Sequence, residues 1–358
     1  MKSLKDISLN LSEEEYHEYP AWSYSLISRY AKDGFGAIAT LHDKFVATPS
    51  MEFGSLFDSM ITKGKATLDE YVIDSTGITI PPAEKSVFDK LLELGYGKYS
   101  YDTLAGPAFG TLSEVMHSCD TFCSKYKKDE TRLAKLAENA GYWELIRTGK
   151  KVVSKEDWDD AVEMYNVFRN DEYLKTLFGT KNTKDVEYIY QAQFKVPWSI
   201  DGQEIEIKIM PDLLVVNHKD KTIQPVDLKT SSAPAWSFKD NFLKYRYDLQ
   251  AELYTAVLYK ITSQRGEASE YESYEILPYL FTDISRTDKV PVTYKYDPTS
   301  GFSYTKSGKE YKYKGWRELL SEILEYEKTE AKVPNYITTK GPNDLISIIS
   351  RNEISTGK

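Results

Sequence analysis

Two short runs carry the residue types that could do chemistry: Lys208-Ile209-Met210-Pro211-Asp212 and Val226-Asp227-Leu228-Lys229-Thr230. A four-residue turn at 217–220 would join them in an antiparallel hairpin, with Val216 facing Lys221. On that register Asp212 falls opposite Pro225, Asp227 opposite Met210, and Lys208 opposite Lys229. Side chains two apart share a face of a strand, so Asp212, Asp227 and Lys229 point to one side and the apolar residues to the other, into the core. The two carboxylates become diagonal neighbours, about 7–8 Å apart at the backbone.

Carboxylates held together on one sheet face repel unless a cation sits between them. An oxygen-only donor set, with no histidine or thiol, suits Mg2+ or Mn2+ rather than Zn2+. A lysine two residues after the second acid places an ammonium beside such an ion. There it can orient or help deprotonate a water, or stabilise charge on a pentavalent phosphate. The same residues also fit a solvated strand carrying an Asp227–Lys229 salt bridge. Lys208 and Lys229, facing each other, would need phosphate or carboxylate between them, so Lys208 reads as a substrate contact or as a partner of Asp227.

The elements that would position these groups follow from periodicity. Short helices are expected over 10–63, with Ser23 and Ser25 able to cap one that carries Leu26, Ile27 and Tyr30, and an apolar stretch from Phe53 to Ile61. The stretch from about 84 to 178 reads as largely helical. It is interrupted by extended residues at Gly149–Val153, after which Ser154 caps a helix with Asp157 three residues on. From Val186 to Lys229 the period changes to two, predicting a three-stranded meander with turns at 199–202 and 217–220. Glu187 lies on its first strand, on the face opposite Tyr188 and Tyr190. A helix from about Lys244 to Tyr259, a second β region over 271–313 and an amphipathic helix with Trp316, Leu319, Leu320, Ile323 and Leu324 complete the pattern.

Asp212, followed after fourteen residues by Asp227-Leu228-Lys229, resembles the PD-(D/E)XK nuclease motif, with Pro211-Asp212 as its first half. Gln250 and Tyr254, four apart on the next helix, are similar to the Q-x-x-x-Y motif of the RecB-like branch. Ser23-x-Ser25-Leu26 and Gly54-Ser55-Leu56-Phe57-Asp58 resemble that branch's two N-terminal helical motifs. The 149–157 stretch and Glu187 resemble the phage-type exodeoxyribonuclease VIII (RecE-like) subgroup. The resemblance spans roughly 10–330 and departs from the branch at Asp58, where a metal-binding histidine is usual; aspartate is a competent ligand for a hard cation.

The resemblance implies an α/β restriction-endonuclease-like core, a mixed central sheet flanked by helices, with a large helical insertion. As one nuclease domain over 1–330 it would comprise N-terminal helices at 10–63, the insertion at about 80–180 and a catalytic core at about 185–330, before a tail over 331–358. It implies metal ligation by Asp58, Asp212, Asp227 and the Leu228 carbonyl, with Lys229 acting on the attacking water. Gln250 and Tyr254 would contact the DNA strand or the lysine, and Glu187 would serve near the site or in a structural salt bridge. The activity implied is Mg2+-dependent hydrolysis of duplex DNA ends, Mn2+ substituting. An endonuclease or nickase on the same core, or a nuclease-fold protein that binds DNA or a partner without cutting, are the alternatives. A single-strand annealing protein as partner and a homo-oligomer are further implications.

Composition agrees with these expectations. Hydrophobic residues make up 41% and charged residues 28% of 358, enough to build a core and too balanced for global disorder. The net charge of -9 disfavours a passive nucleic-acid coat, whose affinity comes from neutralising phosphates. Apolar runs such as Leu213–Val216 fall far short of the roughly 20 residues of a membrane span. The start, Met1-Lys2-Ser3-Leu4-Lys5-Asp6, lacks an apolar signal core, so no membrane and a cytoplasmic location are expected. Two cysteines, Cys119 and Cys123, are too few for a four-cysteine iron–sulfur cluster; with His117 nearby they read as small helix residues or part of a metal site. Between Tyr304 and Arg317, Lys306, Lys309, Lys312, Lys314 and Arg317 alternate with Tyr304, Tyr311, Tyr313 and Trp316. That pattern suits either a strand-gripping surface or an exposed hairpin with its aromatics packed inward.

Overall fold

The computed structural model describes residues 3–43, 47–74, 77, 80–106, 110–298, 303–306 and 309–328. The tail expected over 331–358, and the side chains of Tyr304, Lys306, Lys309 and Tyr311, lie outside the described ones. The chain divides into two compact units, Ser55–Asn166 and the remainder, Met1–Gly54 with Val167–Lys358. Among the described residues no helix is long and apolar enough to cross a membrane.

The Ser55–Asn166 unit is mostly helical. Val87, Phe88 and Leu91 of the Pro82–Glu93 helix pack with Leu112, Met116, Phe122, Leu136 and Trp143. The Trp143 ring stacks on Phe88 and its Nε1 donates to Tyr99 O at 2.9 Å. Two strands, β1 (Tyr71–Asp74) and β2 (Lys151–Ser154), pair in parallel; β2 is the extended interruption expected before Ser154, and β1 had no signature of its own. Ser154 Oγ accepts from Asp157 N at 3.0 Å, the expected cap. Cys119 and Cys123 are half-buried free thiols, Sγ of Cys123 lying 3.3 Å from Met116 O.

The other unit is built on a mixed sheet. Its strands are β3 (Val186–Tyr190), β6 (Leu213–Asn217), β7 (Thr222–Ser231), β8 (Glu275–Ile276), β9 (Tyr279–Ser285) and β10 (Pro291–Tyr296). A separate hairpin joins β4 (Phe194–Ile200) to β5 (Gln203–Ile209), and another joins β11 (Ser303–Lys306) to β12 (Lys309–Lys312). The sheet order is β10-β9-β7-β6-β3 with β8 beside β7; β7 runs parallel to β8 and β9, and the other pairs are antiparallel. Helices flank the sheet. On one face Leu214, Val216, Ile223, Tyr279 and Phe281 meet Leu249, Leu253 and Val257 of the Tyr247–Thr262 helix, with Leu320 and Ile323 of the Trp316–Lys328 helix and Ile27 and Tyr30 of the Tyr24–Asp33 helix. Each such side chain contributes roughly 1.5–3 kcal/mol of burial. On the other face Tyr188 and Tyr190 donate to Thr176 O and Gly179 O at 2.9 and 3.2 Å. A Cβ on Gly179 would lie 2.2 Å from the Tyr188 ring, so only glycine allows that approach.

Three expectations about the β region need correction. First, the strand expected over 203–216 breaks at Met210-Pro211-Asp212. Proline lacks a ladder N–H and restricts the residue before it, so the chain turns a corner there. A matching break occurs at Gln191, with φ 49°, so β4 and β5 leave the main sheet together; the expected turn at their tip holds, Asp201 and Gly202 both taking positive φ. Second, the β6–β7 pairing closes at Asn217–Thr222, with Leu213 facing Val226 and Leu214 facing Pro225. Asn217 Oδ1 accepts from Asp220 N at 3.0 Å and Lys221 takes φ 54°, which puts the loop at 218–221. Third, Asp227 and Lys229 share their face with Ile223, which belongs to the main core; the apolar residues do not all point the other way.

Candidate functional site

The β6–β7 ladder ends with Leu213 facing Val226, which leaves Asp212 just past its end, on the Pro211 corner beside β7. Asp212 Oδ2 accepts from the Leu228 N–H at 2.7 Å, which fixes it against β7. Because β7 lies between β6 and β9, with a helix over its face, Asp227 is only 1% exposed. Its Oδ2 meets the Lys229 ammonium as an ion pair yet has no hydrogen bond in acceptable geometry.

The covering helix supplies three side chains at spacings of three and four, hence from one face: Tyr247, Gln250 and Tyr254. Gln250 Nε2 donates to Asp227 Oδ1 at 2.5 Å and its Oε1 accepts from Lys229 Nζ at 3.2 Å. The Lys229 ammonium stands 4.6 Å from the centre of the Tyr247 ring. Tyr24, from the N-terminal helix, donates from its hydroxyl to Tyr245 O at 2.6 Å. Ser23 precedes that helix, but its Oγ lies 2.9 Å from Ser25 Oγ and caps no backbone group. A Cβ on Gly54 would lie 3.3 Å from Thr230 Oγ1 on β7.

The electrostatics favour a cation among these groups. Burial opposes the charge on Lys229, but Asp227, with Tyr247, Asp212 and Tyr24, raises the ammonium above its ordinary range. Burial pushes the Tyr247 phenol up to about 12, and raises Tyr24 and Tyr254 as well. A third acid was not foreseen: Asp283, facing Lys229 across the parallel β7–β9 ladder. It is 1% exposed, its Oδ1 has no hydrogen-bond partner among the described residues, and Ser231 Oγ lies 3.4 Å from Oδ2. Burial pushes its carboxyl up to about 6. The available signal was a charged residue inside the otherwise uncharged run Tyr279-Leu280-Phe281-Thr282-Asp283-Ile284.

Two expected residues, Lys208 and Glu187, stand elsewhere on the sheets, and a third, Asp58, belongs to the other compact unit. Lys208 faces Lys195 on the β4–β5 hairpin, not Lys229. Its buried Nζ donates to Tyr16 O, His17 O and Tyr19 O at 2.5, 3.1 and 2.8 Å, so the backbone takes all three of its protons. Glu187 faces Val216, about four residues or 13 Å along the sheet from Asp212, and lies 3.8 Å from His218 Nε2. Asp58 belongs to the Ser55–Asn166 unit, half-buried on the Pro49–Lys63 helix. Asp212, Asp227, Leu228, Lys229, Gln250 and Tyr254 do come together.

No family model matches this chain and no curated protein matches it. A solved structure described as the crystal structure of SSO0001 is similar at a TM-score of 0.25 and 10% identity, over 79% of this chain and 88% of its own. A likeness that slight bears on neither fold nor function.

Proposed function

We propose that the chain is a Mg2+-dependent deoxyribonuclease of PD-(D/E)XK type, acting as an exonuclease on duplex DNA ends. The observation that carries this reading is the bridge made by Gln250 between Asp227 and Lys229, beside Asp212. It ties the acid pair, the lysine and the helix of the Q-x-x-x-Y resemblance into one cluster.

The donor chemistry fits a hard divalent ion. Asp227 Oδ2 is a buried carboxylate oxygen paired with the Lys229 ammonium, and the nearby acids Asp212 and Asp227 offer oxygen alone. Among the described residues no three Asp, Glu, His or Cys side chains gather to hold a metal. Asp212 and Asp227 would be the side-chain ligands supplied by the sheet, water and phosphate oxygens adding to the shell. Such an ion supplies Lewis acidity toward the phosphate and its attacking water.

The chain's own groups do the rest. Lys229, beside Asp227, would stabilise negative charge gathering on the phosphate and act on the attacking water. Gln250 keeps the ammonium in place through its amide oxygen. Addition of water breaks one P–O ester bond and leaves one phosphate end and one hydroxyl end. The test is digestion of linear and covalently closed duplex DNA with Mg2+, Mn2+ or EDTA. Metal-dependent loss of the linear form alone supports the exonuclease; cutting of the circle transfers the reading to an endonuclease, and no cutting of either removes it.

A further inference from the structure

A second cluster lies where the Phe238–Tyr245 helix passes into the Tyr247–Thr262 helix. A cavity of about 360 Å3 there is lined by Lys32, Lys244, Arg246, Lys312, Tyr313 and Lys314, among others. Five cations around one cavity, in a chain of net charge -9, call for an anion or for internal partners. Internal partners account for two of the five: Arg246 pairs with Asp248 and Lys314 with Glu322. Lys32, Lys244 and Lys312 have no carboxylate partner among the described residues.

Arg246 shows that the cavity is built. It is 7% exposed and takes the left-handed conformation, φ 57° and ψ 48°, as the cap that ends the Phe238–Tyr245 helix. Its Nε donates to Asp248 Oδ1 at 2.9 Å, and its Nη2 donates to Asp248 Oδ2 at 2.8 Å and Lys314 O at 2.7 Å. The guanidinium lies 4.5 Å from the Tyr313 ring centre. These contacts fix the fork and leave Nη1 without a partner among the described residues, on a buried side chain that lines the cavity. A fixed guanidinium nitrogen among ammoniums is an arrangement that suits a phosphate oxygen.

The cavity is also next to the site described above. Tyr247, whose ring carries the Lys229 ammonium, directly follows Arg246, and Tyr245, whose carbonyl accepts from Tyr24, directly precedes it. We infer that the cavity is a phosphate subsite for the nucleic-acid backbone, holding a phosphate of the same strand whose neighbouring phosphodiester reaches Asp227 and Lys229. This rests on the DNA reading of the site.

The test uses the full chain and a fluorescent 20-base-pair duplex in EDTA, where binding is read by anisotropy without cutting. Lys32→Gln, Lys244→Gln and Lys312→Gln change exposed side chains outside the acid cluster, and thermal melting checks that each variant is folded. Each should weaken binding, and the triple variant should lower the slope of log affinity against log salt by about 0.9, the value for the one phosphate held there. Unchanged affinity and slope in the triple variant, or no duplex binding by the wild type, would overturn the subsite. Cleavage of linear DNA by the wild type in Mg2+ is scored separately. Binding lost in the variants without cleavage by the wild type keeps the subsite and sinks the nuclease, and cleavage with unchanged variant binding does the reverse.

Discussion

Gln250 spans Asp227 and Lys229 with both ends of its amide, donating to the acid at 2.5 Å and accepting from the base at 3.2 Å. The two charged residues therefore do not depend on their ion pair alone for position. Replacing the amide separates what it does for the fold from what it does for the lysine. Gln250→Ala leaves Asp227 Oδ1, in a residue 1% exposed, without its donor, and a buried acceptor so stranded costs about 1–3 kcal/mol. Urea unfolding should show that loss, with DNA cleavage in Mg2+ reduced beyond what the unfolded fraction explains. Equal stability of variant and wild type would show that the bridge is not formed in solution.

Lys208 is expected to be structural. Burial pulls its ammonium down to about 8, and the carbonyls of Tyr16, His17 and Tyr19 are what it holds. Lys208→Met removes the donor from three oxygens and should lower stability by about 2–4 kcal/mol. DNA affinity and its salt slope should not move once folding is corrected for. A drop of about 0.9 in the salt slope would restore the substrate contact that the regular hairpin suggested.

The sheet shows what was readable from the amino acids and what was not. Asp212, Asp227 and Lys229 were found because strand alternation is local: a period of two places 227 and 229 on one face whatever the partner strand. Their neighbours were misplaced for two local reasons, the Pro211 corner and the left-handed Lys221, which together changed which residue faces which. Gln250 and Tyr254 were readable because helical spacing is also local. Asp283 was not, because its link to Lys229 runs through a parallel ladder between strands more than fifty residues apart, and no local pattern encodes that register. The strand β1 was missed for the same reason, its partner β2 lying beyond several helices.

The helix beside the basic cavity carries a pH-dependent group of its own. Burial pushes the Glu252 carboxyl up to about 7, Asp248 one turn before it adds to the rise, and Tyr296, Arg246 and Arg317 oppose it. A carboxyl raised on folding contributes stability that is complete below its unfolded value, about 4.3, and is lost as the pH rises through 7. Glu252→Gln should therefore match the wild type near pH 4 and exceed it at pH 8, by on the order of 1–2 kcal/mol. Thermal melting across that range checks the sign; a variant less stable at pH 8 than the wild type would mean that Arg246 and Arg317 dominate.

Cleavage by this protein should depend on the acid and the lysine of β7, Asp227 and Lys229. Asp227→Asn and Lys229→Ala should be compared with the wild type on linear duplex DNA in Mg2+, with duplex binding in EDTA measured on the same preparations. Each substitution should lower the cleavage rate by a factor of about 100 or more while binding persists, since both groups act on the reacting phosphate. Cleavage by Asp227→Asn at the wild-type rate would contradict this dependence and leave the cluster as a buried ion pair.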